Sequence, residues 1–411
     1  MIASFKLIAA AVVLGSVLSR CQVSWPSSLT ALSERDVTMT HKPIRLIVTV
    51  VLIMLLVTYC ISGAVNSTQA QIRTYVANDC NAMVSVIDST SNTVVNTISV
   101  GISPIEIAIT PNGTRAYLTD RTTGTVSVID TGTNTVIASI PLSPSLHGIA
   151  ITPDGTRAYV MNPQAGTVSV INTATNTVVA TVMVSSGPFK AAITPDGTRV
   201  YVTQLLGAAV SVIDTSTNTI NSTITVGSEP WGIAITPDGT RAYVTNRNSD
   251  TVSVIETASN TGIATIAVGS SEIRDTPQGI AITPNGSRAY VTNLDSGIVS
   301  VIDTVSNTVI ATIAVGIASG PHAVAITPDG TRAYVTNIFG NTVSVIDTMS
   351  NTVVATVPVE CPTGIGITPA PLSPNTKDEC KDRGYQKFGP PAGPFKNQGQ
   401  CVKYVNEHSH N

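Results

Sequence analysis

The chain is poor in charge and poor in aromatic rings. Of its 411 residues, 11% are charged and 4% aromatic, and the formal net charge is −3. A nucleic-acid surface needs clustered Lys and Arg, so that class of partner is excluded. Histidine is scarcer still: His41, His147, His322, His408 and His410 are the only five. There is no CxxCH for haem, no HExxH, no GxSxG and no phosphate loop. No catalytic residue, resident metal or cofactor is therefore expected from motifs.

What the chain has in abundance is repetition. The unit is seen best in Gly232–Val268, GIAITPDGTRAYVTNRNSDTVSVIETASNTGIATIAV. Its Tyr-Val-Thr-Asn segment at Tyr243 recurs, intact or altered, at Tyr75, Tyr117, Tyr159, Tyr201, Tyr290 and Tyr334. A period of about 40–45 residues with four short strands is the spacing of a β-propeller blade. Pro237-Asp238-Gly239 reads as a turn, with Pro fixing φ and Gly free to take φ > 0. The strands, rich in Val, Ile, Thr and Tyr, are apolar on both faces, which suits a sheet stacked between two others. The innermost strand occurs at 105–110, 147–152, 189–194, 231–236, 278–283, 322–327 and 363–368. The first repeat, from Ile72, lacks it, and the last copy, Gly364–Thr368, has nothing else. Together they make one blade. The expected fold is all-β: a seven-bladed propeller of four-stranded antiparallel blades with a 1+3 closure.

TPDGTRAYVTN followed by TVSVIDTxTNTVVATIPVG resembles the YVTN-family β-propellers, including surface-layer-type and secreted ones. The match covers roughly residues 72–370. It implies a cell-surface or periplasmic propeller and no particular activity. The overall shape also resembles lactonase-like enzymes and the propellers of quinoprotein dehydrogenases and nitrous oxide reductase.

Three segments are expected: a leader at 1–71, the propeller at 72–369, and a Pro-rich linker with a small tail at 370–411. Leu7–Leu18 and Leu46–Val57 are apolar runs behind basic flanks, as in a signal peptide, and the second run, extended to Val65, could also span a bilayer. From Met39 the chain reads as a complete signal peptide. Two readings of residues 1–38 stay open: an upstream start, or a genuine two-helix N-terminus. Either way the propeller is expected outside the cytoplasm, touching a membrane only through the N-terminal segment. Cys80 and Cys361 fall in loops at the same end of adjacent strands of the split blade, and they are expected to pair or else to be free thiols. Cys380 and Cys401 are paired as a staple for the tail. A zinc site with His408 and His410 lacks the second half of its motif.

Function is sought where the repeats disagree. The inner strand enters the central channel with Ile105, His147, Phe189, Trp231, Gln278, His322 and Thr363. The next positions are Glu106, Gly148, Lys190, Gly232, Gly279, Ala323 and Gly364. The recurrent Asp at Asp88, Asp130, Asp214, Asp303 and Asp347 is read as turn chemistry. The candidate binding site is the channel mouth: Trp231, Phe189, His147, His322, Glu106, Lys190 and Gln278, used to hold a protein or glycan partner on the variable loop face. Trp231 and Phe189 plugging the axis is the plainer alternative. The alternative function is a lactonase-like or quinoprotein-like enzyme at the same mouth. A lactonase-like metal would need several axial carboxylates, and Glu106 is the only one in the two entry rings.

Overall fold

The computed structural model describes residues 72–269, 274–316 and 318–369. Within them lie twenty-eight strands, β1–β28, in seven four-stranded antiparallel sheets, with no helix among the described residues. The ring closes as the repeat count requires. β28 (Pro362–Ile367) pairs with β1 (Arg73–Asn78), which continues through β2 (Met83–Asp88) to β3 (Thr93–Ser99). The one described disulfide, Cys80–Cys361, joins residues 281 apart across this seam. The expected leader, the tail and the Cys380–Cys401 pair lie outside the described residues.

The repeated residues are the clasps between blades. All seven tyrosines are 0% exposed. Each donates its hydroxyl to an Asn side chain of the neighbouring blade at 2.6–3.1 Å. These asparagines sit in the turn between the third and fourth strands with φ of 53–57°, a conformation Asn tolerates better than most residues. One residue type thus makes the turn and accepts the neighbour's tyrosine. Tyr334 reaches Asn92 at 2.8 Å, so the seam has the same clasp as every other joint. The recurrent Asp residues cap turn amides as expected; Asp88 Oδ1, for example, accepts from Thr90 and Ser91 N–H.

The motif Thr has a second task. Its hydroxyl donates to the backbone carbonyl of the next blade's entry residue: Thr119 to His147 at 2.6 Å, Thr203 to Trp231 at 3.0 Å, Thr245 to Gln278 at 2.7 Å, Thr292 to His322 at 2.9 Å and Thr336 to Thr363 at 2.8 Å. The channel residues are therefore set in place by the repeat itself.

The outer strand of each blade carries no charged residue. Each contains a β-bulge instead. In β19 (Thr261–Ala267), Ile263 is skipped by β18 (Thr251–Glu256), which pairs Ile255 with Gly262 and Val254 with Ala264. A bulge twists an edge away from further pairing, so geometry stands in for charge as edge protection.

Candidate active site

The inner strands are β4 (Pro104–Ile109), β8 (Ile149–Ile151), β12 (Pro188–Ile193), β16 (Pro230–Ile235), β20 (Pro277–Ile282), β24 (Pro321–Ile326) and β28. Six begin with Pro. Leu146 occupies that place before β8, which is shortened to three residues rather than spanning 147–152. His147 is nonetheless tied down, its N–H donating to Met161 O at 3.0 Å.

The candidate residues on the inner strands divide into two layers. The upper layer is a packed cap. The Phe189 ring lies between those of His147 and Trp231, with centroids 3.8 and 4.0 Å away. His147 and His322 both meet Trp231 edge-on, at 6.0 and 6.2 Å. Arg247 stacks over the indole at 5.0 Å and faces Glu229 at 3.7 Å. Phe189 is 4% exposed, so it serves chiefly as packing. Both imidazoles are half-buried, with their Nδ1 atoms fully enclosed and unpartnered within the protein. Trp231 Nε1, Gln278 Oε1 and Arg247 Nε are likewise enclosed without a protein partner.

Beneath the cap lies a cavity of about 130 Å³ lined by Glu106, Gly148, Lys190, Gly232, Gly279 and Ala323, with an apolar floor that includes Ile149, Ile233 and Ile365. Lys190 Nζ and Glu106 Oε2 meet in it at 2.5 Å. The pair comes from β12 and β4 and spans the β8 blade, where Gly148 leaves room. The glycines of this layer are obligatory: a Cβ on Gly148 would meet Phe189 O at 2.6 Å, and one on Gly232 would meet Gln278 O at 2.3 Å. Inner strands this close admit a side chain at few positions, and two of those carry the charges.

The two imidazoles are neutral at ordinary pH. Burial, then Lys190, His322 and Arg121, holds His147 well below its usual value. Burial pushes His322 down to about 3; Lys190 and Arg247 add to the fall and a backbone contact at Thr363 opposes it. An imidazole with so low a value is a weak base and serves better as a hydrogen-bonding group. The stronger chemical element is the carboxylate–ammonium pair.

A family model described as lactonase, seven-bladed beta-propeller matches residues 139–312. That span holds His147, Phe189, Lys190, Trp231, Arg247 and Gln278 and leaves out Glu106 and His322. No curated protein matches the chain. Among solved structures, hydrazine synthase of Kuenenia stuttgartiensis is 24% identical, with a TM-score of 0.61, 67% of this chain covered and 92% of that one. A functionally unknown protein from Desulfotomaculum acetoxidans is 20% identical, with a TM-score of 0.65 and coverage of 72% and 99%. The periplasmic gluconolactonase of Pseudomonas aeruginosa is 17% identical, with a TM-score of 0.62 and coverage of 73% and 100%. At these identities the likeness is one of fold.

The lactonase-like resemblance carries with it a divalent metal, and the residues do not fit one. Among the described residues no three His, Cys, Asp or Glu side chains gather as a ligand set. Glu106, the single carboxylate of the entry rings, is engaged by Lys190. No step below is routed through a metal.

Proposed function

We propose that this propeller is a lactonase-like hydrolase acting at its axis on a small polar cyclic ester, such as a sugar δ-lactone. The observation that carries this reading is the Glu106–Lys190 pair in a glycine-walled cavity. The family match over residues 139–312 supports it. In this reading Glu106 takes a proton from a water molecule, which adds to the ester carbonyl carbon. Lys190 stabilises the resulting oxyanion. The tetrahedral species collapses by breaking the ring C–O bond, and the proton passes from Glu106 to the departing alkoxide. The work is done outside the cytoplasm, a placement supported by the Cys80–Cys361 disulfide.

The test follows proton release from gluconolactone above its spontaneous hydrolysis. Glu106→Gln is expected to lower kcat by roughly 10²-fold or more, and Lys190→Met by a similar factor, assayed well below the Tm of each variant because stranding one charge of the enclosed pair also costs stability. Wild-type protein no faster than the spontaneous reaction, or a Glu106→Gln variant as fast as wild type, would sink the proposal.

A second reading, a scaffold that binds a protein or glycan on the variable face, is favoured by one observation. Ile102, Leu206 and Phe339 stand 62%, 81% and 66% exposed on the loops of that face. Leu206→Ser with Phe339→Ser should then abolish binding to intact cells or a glycan array while leaving lactone hydrolysis and Tm as they are. Cell and array binding unaffected by the pair of substitutions would remove this reading.

A further inference from the structure

Solvent reaches the cavity of Glu106 and Lys190, whose side chains keep 13% and 14% exposure. It does not come through the cap. No cap residue lines the cavity, and Ile105, Phe189, Gln278 and Thr363 above it are 1–4% exposed.

The inner strands open in the other direction. Each of the six unsplit blades runs its inner strand from the cap toward a Pro-Asp-Gly or Pro-Asn-Gly turn, as β16 does toward Pro237-Asp238-Gly239. At the cap end neighbouring strands touch: Gly148 N–H donates to Phe189 O at 2.9 Å. A Cβ on Gly364 would collide with Ile105 O, whereas one on Gly366, two residues lower, would stand 3.2 Å from Ile107 O. The strands draw apart as they descend. Below the cavity come Ala108, Ala150, Ala192, Ala234, Ala281 and Ala325, all half-buried, and the isoleucine after each is half-buried too. An inner strand is covered by its own blade along one edge and by a neighbouring blade on each face. The solvent these alanines meet is therefore that of the axis. The turns pack side by side around the bore rather than across it, with Gly155 facing Pro111, Gly239 facing Pro195 and Gly113 facing Pro369.

We infer that ligands enter the axial site from the face of the Pro-Asp-Gly turns, opposite the variable loops, and that the six alanines set the size of what reaches Glu106 and Lys190. The bore suits compact, uncharged molecules. Its side chains at both levels are aliphatic, so a charged group finds no partner on the way. Each inner strand pairs along one edge only. The free edge turns backbone N–H and C=O groups to the axis, where the hydroxyls and carbonyl of a neutral ligand replace water. The route stands on this geometry; that the ligand is a cyclic ester rests on the hydrolase reading.

The experiment places a thiol in the cavity wall and narrows the bore beneath it. Ala323 lines the cavity and is 4% exposed. Ala323→Cys in the whole protein is treated with iodoacetamide, a small neutral reagent, and modification at that position is followed by peptide mass mapping. Met349→Cys, at a side chain 90% exposed, gives the unhindered rate. Ala150→Leu with Ala234→Leu, on blades that do not carry Ala323, is expected to slow modification of Ala323→Cys at least roughly tenfold and to leave that of Met349→Cys alone. Either leucine by itself, expected to slow it roughly threefold, serves if the pair does not fold. Modification of Ala323→Cys at the same rate with and without the leucines means entry from above, and no modification at all means a sealed cavity; both overturn the inference. Modification that obeys the leucines in a protein that hydrolyses no lactone sinks the hydrolase reading alone. Lactone hydrolysis and thiol modification both indifferent to the leucines sink the route alone.

Discussion

Replacing Cys80 and Cys361 together with serine is expected to lower Tm by roughly 10 °C, from a loss on the order of 5 kcal/mol. The size follows from where the bridge sits. It closes a loop of 281 residues in sequence, so the unfolded chain without it gains nearly the freedom of the whole ring. The closing strand β28 comes from the far end of the chain, and the bridge keeps it beside β1 before any ladder bond forms. Both cysteines lie in loops rather than in the core, so serine adds no steric conflict. Scanning calorimetry of wild type, variant, and wild type under reductant gives the answer. The last two should coincide. Equal Tm in all three would mean that sheet pairing and the Tyr334–Asn92 clasp alone hold the seam.

The second large effect is expected in alkali. Burial raises the pKa of all seven clasp tyrosines above 10, in each against the opposing pull of a neighbouring Arg, and Tyr334 reaches about 12. A raised folded value favours the protonated form. The stability it brings is complete below pH 10, where the unfolded chain's tyrosines also hold their protons, and it is lost as pH climbs through the folded values. Each tyrosine contributes up to about 1.4 kcal/mol per pH unit in that window. Because seven lose their donors over the same range, denaturant midpoints should be flat to about pH 9 and collapse steeply between about 10 and 12. Tyrosinate absorbance should rise together with the loss of strand signal. A smooth titration near pH 10 with the fold intact would contradict the clasp account. The turn aspartates act at the other extreme: Asp130, Asp154, Asp196 and Asp238 are all held below their ordinary value by turn hydrogen bonds and fail only under strong acid.

The ring was readable from the sequence because the blades repeat the same local choices: a Pro-Asp-Gly or Pro-Asn-Gly turn in the six unsplit blades, both strand faces apolar, and Tyr and Asn at fixed places. The closure and the Cys80–Cys361 pair followed from counting partial blades. The role of the Tyr–Asn pairs was there to be seen in a constant spacing, since Tyr75 and Asn134, Tyr117 and Asn176, Tyr159 and Asn218, and Tyr201 and Asn260 are each 59 residues apart. Reading that turn for its Asp alone concealed it. The channel was less legible. Sequence alternation places His147, Phe189 and Trp231 on one rim, but whether such rings line an opening or fill it depends on the channel's radius, which no local pattern encodes. They fill it. The Glu106–Lys190 contact joins residues from two blades across a third, and it depends on Gly148 being small rather than on any motif around either charge.

The sameness of the seven joints bears on how the molecule comes apart. An open array of repeats frays, because an end repeat is held on one side only and leaves by breaking one interface. Here Tyr334–Asn92 makes the last joint the equal of the first. Every blade is held on two sides, and freeing any one requires two interfaces to fail at once. A partly melted propeller is therefore a costly species, and the axial cavity, which all seven blades enclose, exists only while every joint holds.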